Sequence, residues 1–171
     1  MNDFNNLRTM VLFILQNAHL YEWSVQGFGM MRLHLPDNCR LHLWHKDLRT
    51  LNVSDIHDHL QWGLDSTVIA GSINNYIYSE SLSNESADAI KYQYVTLKPG
   101  YGTKFKTEIK EKYLRIKSVS MYLPRDTYSQ APSVIHRSDP MDGTITMMRK
   151  HPTEDESARV FWPEIGRASC R

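Results

Sequence analysis

The chain has 171 residues and a mass of 20.0 kDa, with 20 Lys and Arg against 19 Asp and Glu for a formal net charge of +1. That length fits a single domain with a real core, and the near-neutral balance gives no electrostatic footprint for a nucleic-acid backbone or an anionic membrane. No run of about 18 apolar residues occurs, and Met10 to Leu15 lacks the length and cleavage pattern of a signal peptide, so the sequence reads as soluble and cytoplasmic, with small molecules as the expected partners.

From Asn2 to His19, Phe4, Leu7, Val11, Leu12, Ile14, Leu15 and Ala18 recur close to helical spacing, with Asn2 or Asp3 available as a cap. A short amphipathic N-terminal helix is expected there. The texture then changes to short segments rich in β-branched and aromatic residues: Tyr21 to Val25, Gly29 to Leu35, Arg40 to His45, Thr67 to Tyr78, Ile90 to Leu97, Thr103 to Ile109, Leu114 to Tyr122, Ser133 to His136 and Thr144 to Arg149. A further short strand is expected to end at His59. Turn residues separate the segments at Pro36-Asp37-Asn38, Ser81 to Ser86, Pro99-Gly100, Pro124-Arg125-Asp126 and Pro140 to Gly143. Eight or nine strands of this kind predict an all-β jelly roll or small barrel, which removes exposed sheet edges.

Cys39 and Cys170 are too few and too far apart for a disulfide framework, and a reduced compartment is the simpler reading. The last eight residues, Glu164 to Arg171, look like a translated sequencing-adapter read. The expected organisation is therefore one domain over residues 1–163 followed by a non-native tail.

The segment Ile56-His57-Asp58-His59 carries the chemistry. Side chains alternate faces along a strand, so His57 and His59 share one side with Asp55 while Ile56, Asp58 and Leu60 share the other. His136, in Ile135-His136-Arg137, belongs to a separate predicted strand and can approach across a barrel to complete a triangle. Three neutral imidazoles leave coordination positions open, as suits a catalytic rather than a closed structural site. Taken singly, each histidine reads more readily as an ordinary core or surface residue.

The stretch from Ile56 through Val68-Ile69-Ala70-Gly71 resembles the first metal motif of the cupin superfamily, most closely that of the cysteine dioxygenase type of thiol dioxygenase. Ile135-His136-Arg137 is similar to the Leu-His-Arg sequence that holds that family's third ligand, and Arg32 lies at the distance where the family places an arginine for the substrate carboxylate. The resemblance runs from about Arg32 to Pro152. It implies a cupin barrel with Fe(II) bound by His57, His59 and His136; zinc, nickel or manganese suit the same donors.

The departures are specific. Leu60-Gln61-Trp62-Gly63-Leu64 lacks the glutamate ligand of general cupins, and Leu64 occupies the position of the cysteine that eukaryotic cysteine dioxygenases crosslink to tyrosine. Thr146-Met147-Met148-Arg149-Lys150 aligns with a Ser-x-His-x-Tyr array, placing Met148 and Lys150 where His and Tyr stand in relatives with broader thiol substrates.

Arg32 and His34 share one strand face, as do Arg40, His42 and Trp44 beyond a hairpin turn at Pro36-Asp37-Asn38. Arg32 reads either as a bidentate carboxylate clamp or as part of a solvated face, the second being the reading for His34 and His42. Trp62 and Tyr128 serve as pocket wall or core, with Tyr128 in a turn-rich loop before the third histidine. Asp65, the next carboxylate after the histidine pair, is out of phase with the inward face. The basic stretch from Lys104 to Lys117 alternates with acidic and aromatic residues and reads as a solvated face.

Two functions lead, with a zinc-dependent hydrolase or isomerase also open because three histidines suit zinc as well as iron. One is an Fe(II) dioxygenase that uses dioxygen to oxidise a small thiol or other organic acid, with Arg32 and Tyr128 at the substrate; the other is a non-catalytic metal- or ligand-binding cupin module.

Overall fold

The computed structural model describes residues 2–49, 54–81, 88–97, 108–151 and 157–163. The expected helix forms as α1 over Asn2–Gln16 and is followed by a 3-10 turn at Ala18–Leu20. The Asn2 and Asp3 side chains, the expected cap, lie outside the described residues, as do 103–107 of an expected strand and the suspected tail at 164–171.

Twelve strands follow among the described residues: β1 Glu22–Gln26, β2 Phe28–His34, β3 Cys39–Arg49, β4 Ile56–His59, β5 Gly63–Ala70, β6 Ile73–Ser81, β7 Ile90–Leu97, β8 Lys110–Tyr122, β9 Thr127–Gln130, β10 His136–Pro140, β11 Ile145–His151 and β12 Ala158–Pro163. They form a six-stranded sheet in the order β1-β2-β3-β11-β5-β9 and a closed antiparallel barrel in the order β10-β4-β12-β7-β8-β6. The fold is all-β with one N-terminal helix, as the alternating segments predict.

Three expectations need correction. The single strand expected over Thr67 to Tyr78 is two strands that belong to different sheets, because the chain turns at Gly71 with φ +76. Tyr128 lies on β9 rather than in a loop, paired with Ser66 of β5. The strand expected over Ser133 to His136 instead begins at His136 and runs to Pro140, and β12 was not expected at all.

Alternation distributes the residues of each strand between layers. In the barrel, Ile56, Tyr78, Tyr92, Tyr94, Leu114, Ile135 and Phe161 form one buried cluster. On the six-stranded sheet, Leu33, Leu41, Ile69 and Met147 pack beneath Val11 and Ile14 of α1, so the helix covers one sheet face. The opposite face of that sheet carries Met30, Arg32, His42, Trp44, Leu64, Ser66 and Met148, which together with residues of β4, β10 and β12 line a pocket of about 210 Å³.

Gly71 makes the change of sheet possible. Besides its positive φ, a Cβ there would stand 2.4 Å from Thr144 Oγ1 and 2.8 Å from Thr144 Cα. Thr144 is fully buried, and its hydroxyl donates to the Ser72 carbonyl at 2.8 Å, so it has no room to retreat. Gly71→Ala is expected to destabilise the fold by about 2–4 kcal/mol, adding the left-handed backbone penalty to overpacking; the urea midpoint measures it.

Candidate metal centre

Strand β4 lies between β10 and β12 in the barrel, with His57 directly opposite His136 on one side and Val160 on the other. Pairing in register thus brings the distant third histidine beside the first. His136 approaches as a sheet neighbour, not across a barrel lumen as expected. The ring centroids of His57 and His136 are 4.4 Å apart, those of His57 and His59 4.9 Å, and those of His59 and His136 5.5 Å. One nitrogen from each of the three lies within 4.8 Å of the others, a spacing that could hold a metal ion.

Two of these imidazoles are oriented by the chain itself. The Nδ1 of His57 is 2.9 Å from the Asp55 carbonyl oxygen, and that of His136 is 2.9 Å from the Val134 carbonyl. A carbonyl accepts only, so each Nδ1 carries the proton and leaves its Nε2 lone pair as the ligand atom. His59 Nδ1 is buried with no hydrogen-bond partner; its ring stacks on Trp62 instead, with centroids 3.6 Å apart.

Burial keeps all three rings neutral. It lowers the His57 pKa despite the Asp55 carbonyl, takes His136 down to about 3 with help from His57, and pushes His59 further still. Neutral imidazole is the form that binds a metal. The donor set therefore fits a borderline divalent cation such as iron or zinc.

Behind the site, the intervening Asp58 is fully buried on the other face of β4. It accepts from the Arg159 backbone N–H at 3.0 Å and from Arg159 Nε at 2.8 Å, while Arg159 Nη1 donates to Glu80 at 2.9 Å and Lys112 to Glu80 at 2.7 Å. These charges tie β4 to β12, β6 and β8. Arg159 also lies over Tyr94 and Phe161. No sequence pattern pointed to Arg159, because its partner lies about a hundred residues earlier and becomes a neighbour only in the sheet.

Arg32 lines the pocket, half-buried, with Nε donating to Ser24 Oγ at 3.1 Å. Burial, then Arg40, lowers its pKa. Tyr128 also lines the pocket, with its ring 4.6 Å from that of Tyr122 and its hydroxyl hydrogen-bonded to Ser66 and Ser138. Leu64 and Met148 form apolar wall, whereas Lys150 is buried with its ammonium over the Trp62 ring. Asp65 is remote from the site: its oxygens bind Ser129 at 2.6 Å and His151 at 2.8 Å on an exposed face.

His42 departs from the solvated-face reading. It is buried on the pocket wall opposite Arg32 in the β2–β3 pairing, and burial together with Arg40, Arg32 and His34 lowers its pKa to about 3. Phe28, stacked 6.0 Å from His57, and Trp44 also went unread as pocket residues. Their inward phase was legible, but nothing local distinguished this sheet face from the one beneath the helix.

No known protein family matches the chain, and no curated protein is significantly similar to it in sequence. The closed barrel and the three-histidine cluster are compatible with a cupin-like fold and define a candidate metal site on their own geometry.

The buried histidines fix a pH dependence. Below their ordinary pKa near 6.5 the unfolded chain takes up protons that the folded, metal-free protein refuses, so stability falls as pH drops from there toward about 3. Each such histidine contributes a slope of up to about 1.4 kcal/mol per pH unit. Urea unfolding of chelator-treated protein between pH 7 and 5 should show this decline, and His42→Gln should make it shallower.

Proposed function

We propose that this protein is a metal-dependent cupin-type enzyme that binds Fe(II) through His57, His59 and His136 and uses dioxygen to oxidise a small organic acid, thiols included. The observation that carries the reading is the convergence of three neutral imidazoles, two with Nδ1 locked to backbone carbonyls, at the wall of a pocket that also holds Arg32. When bound, Fe(II) supplies open coordination positions and redox reactivity toward dioxygen.

The chain's own residues have separable tasks. Arg32 pairs with the substrate carboxylate through its guanidinium, whose Nε is already committed to Ser24 and so fixes the plane of the fork. Tyr128, held between Ser66 and Ser138, presents a hydroxyl at the same pocket. Phe28, Trp44, Leu64 and Met148 exclude water and strengthen the charge interactions inside.

A non-catalytic binding module is the second reading. Met148 and Lys150 favour it: Met148 has no proton to give or accept at the wall, and Lys150 lies against the Trp62 ring without itself lining the pocket.

Elemental analysis of protein purified without added metal, beside His136→Ala, tests the shared premise. Near-stoichiometric iron that the variant loses is the expected result; no bound metal after anaerobic Fe(II) or zinc loading would sink the centre, and tight zinc with no affinity for iron would favour hydrolysis or isomerisation. Oxygen uptake with a panel of thiols and small carboxylic acids then separates enzyme from binding module, since the module consumes none above the metal-free control. In the enzyme, Arg32→Met should raise KM about 10- to 100-fold for acids, the loss expected of a charged hydrogen bond.

A further inference from the structure

His59 differs from the other two histidines in what holds it. His57 and His136 each tie Nδ1 to a carbonyl at 2.9 Å, whereas His59 Nδ1 is buried and has no partner. An imidazole that donates its second N–H to an acceptor is the more basic ligand and has a fixed ring plane. Neither effect reaches His59 by that route.

Trp62 offers another. It lies in the turn between β4 and β5, only 6% exposed, and its ring faces that of His59 with centroids 3.6 Å apart and planes inclined by 23°. The ammonium of Lys150, itself 5% exposed, is 4.8 Å from the centroid of the same indole. Leu64 and Met148 pack with Trp62 in one cluster. The indole is therefore held by an apolar contact and by a buried cation, and it sets the ring plane of His59 by contact area instead of by a hydrogen bond. Nor is the backbone there loose: the Ser133 N–H donates to the His59 carbonyl at 2.7 Å, and the Leu60 N–H donates to the Ser157 carbonyl at 3.0 Å.

The stack also discriminates between the free and the metal-bound ring. A coordinated imidazole is drained of electron density by the cation, and an electron-poor ring is attracted to the electron-rich face of indole more strongly than a neutral one. We propose that Trp62 is a positioning residue for the metal centre, anchored by Lys150, that orients His59 and stabilises its metal-bound form in place of the hydrogen bond its two companion ligands use. This rests on reading His57, His59 and His136 as the ligands, each through Nε2. It assigns a task to Lys150 and makes His59 the electronically weakest donor of the three.

The test uses the full chain loaded with Co(II) or zinc, with affinity measured by competition against a chelator. Trp62→Leu removes the aromatic face and should lose about 10-fold or more in Co(II) affinity, the scale seen when a ligand's supporting partner is removed, with a changed visible absorption envelope. Trp62→Phe keeps a stackable ring and should stay within a few-fold of the wild type with an unchanged envelope. Trp62→Phe, which is expected to fold, also answers by fluorescence: Co(II) but not zinc should quench tryptophan emission in the wild type, and the variant should lose the larger part of that quench. Equal affinity and equal absorption for wild type and Trp62→Leu, or undiminished quenching in Trp62→Phe, would overturn the assignment while leaving the three-histidine centre standing. Failure of the wild type to bind either metal overturns both.

Discussion

Four residues of β4 satisfy two environments at once, and the site depends on how they do it. Ile56 and Asp58 point into the barrel, where Ile56 joins the aromatic cluster and Asp58 meets Arg159; His57 and His59 point the other way, into the pocket. A strand buried on both faces cannot slip by one residue, because the slip would place a carboxylate in the pocket and two imidazoles in the aromatic core. Asp58 strengthens that restriction. A fully buried carboxylate is tolerable only with its charge paired and its lone pairs filled, and Arg159 does both through its backbone and its guanidinium. The register that pairs Arg159 with Asp58 also pairs Val160 with His57. The charge pair in the barrel therefore fixes the height of the histidines on its outside.

Desolvation of the histidines is the opposing term. Four imidazoles, His42 and His136 buried and His57 and His59 partly buried, have pKa values below the ordinary one, so the fold holds them neutral against their tendency to charge in mild acid. Three of them converge within 4.8 Å, and protonating any one would set a charge beside its neighbours. A divalent cation reverses the balance, since each neutral ring then gains a partner that it lacks in the free protein. His42 stands apart, on the opposite wall beside Arg32, where the same neutrality leaves the two neighbouring guanidinium groups as the cationic character of that wall. An anion entering the pocket thus meets fixed positive charge that does not change in the physiological range.

Much of this was legible in the sequence because alternation is a short-range rule. The histidine pair could be assigned to one face from four residues, and the hairpin that sets Arg32 opposite His42 was marked by Pro36-Asp37-Asn38, whose Asp37 and Asn38 take φ of +56 and +57. What failed was long-range. The division of Thr67 to Tyr78 depends on Gly71 passing close to Thr144, some seventy residues away. β9 and β12 are short, and their pairing partners β5 and β4, not their own composition, define them as strands. His42 looked like a solvated residue because the hydrophobic pattern of β3 does not say which sheet face meets the helix and which meets the barrel.

The inner face of β11 bears on what the pocket can recognise. Thr146, Met148 and Lys150 alternate there, all buried, yet only Met148 lines the cavity. Its thioether is polarisable and adapts to shape, and it supplies no strong hydrogen bond. Leu64 on the paired strand adds another apolar surface, and Tyr128 has its hydroxyl shared between Ser66 and Ser138. Apart from the histidines and the Arg32 end, the lining mixes these apolar and aromatic side chains with the polar Gln26, Ser54, Asp55, Ser66, Gln130 and Ser138. A polar group set against the Met148 and Leu64 part of that lining would lose its water and gain no partner from those two side chains.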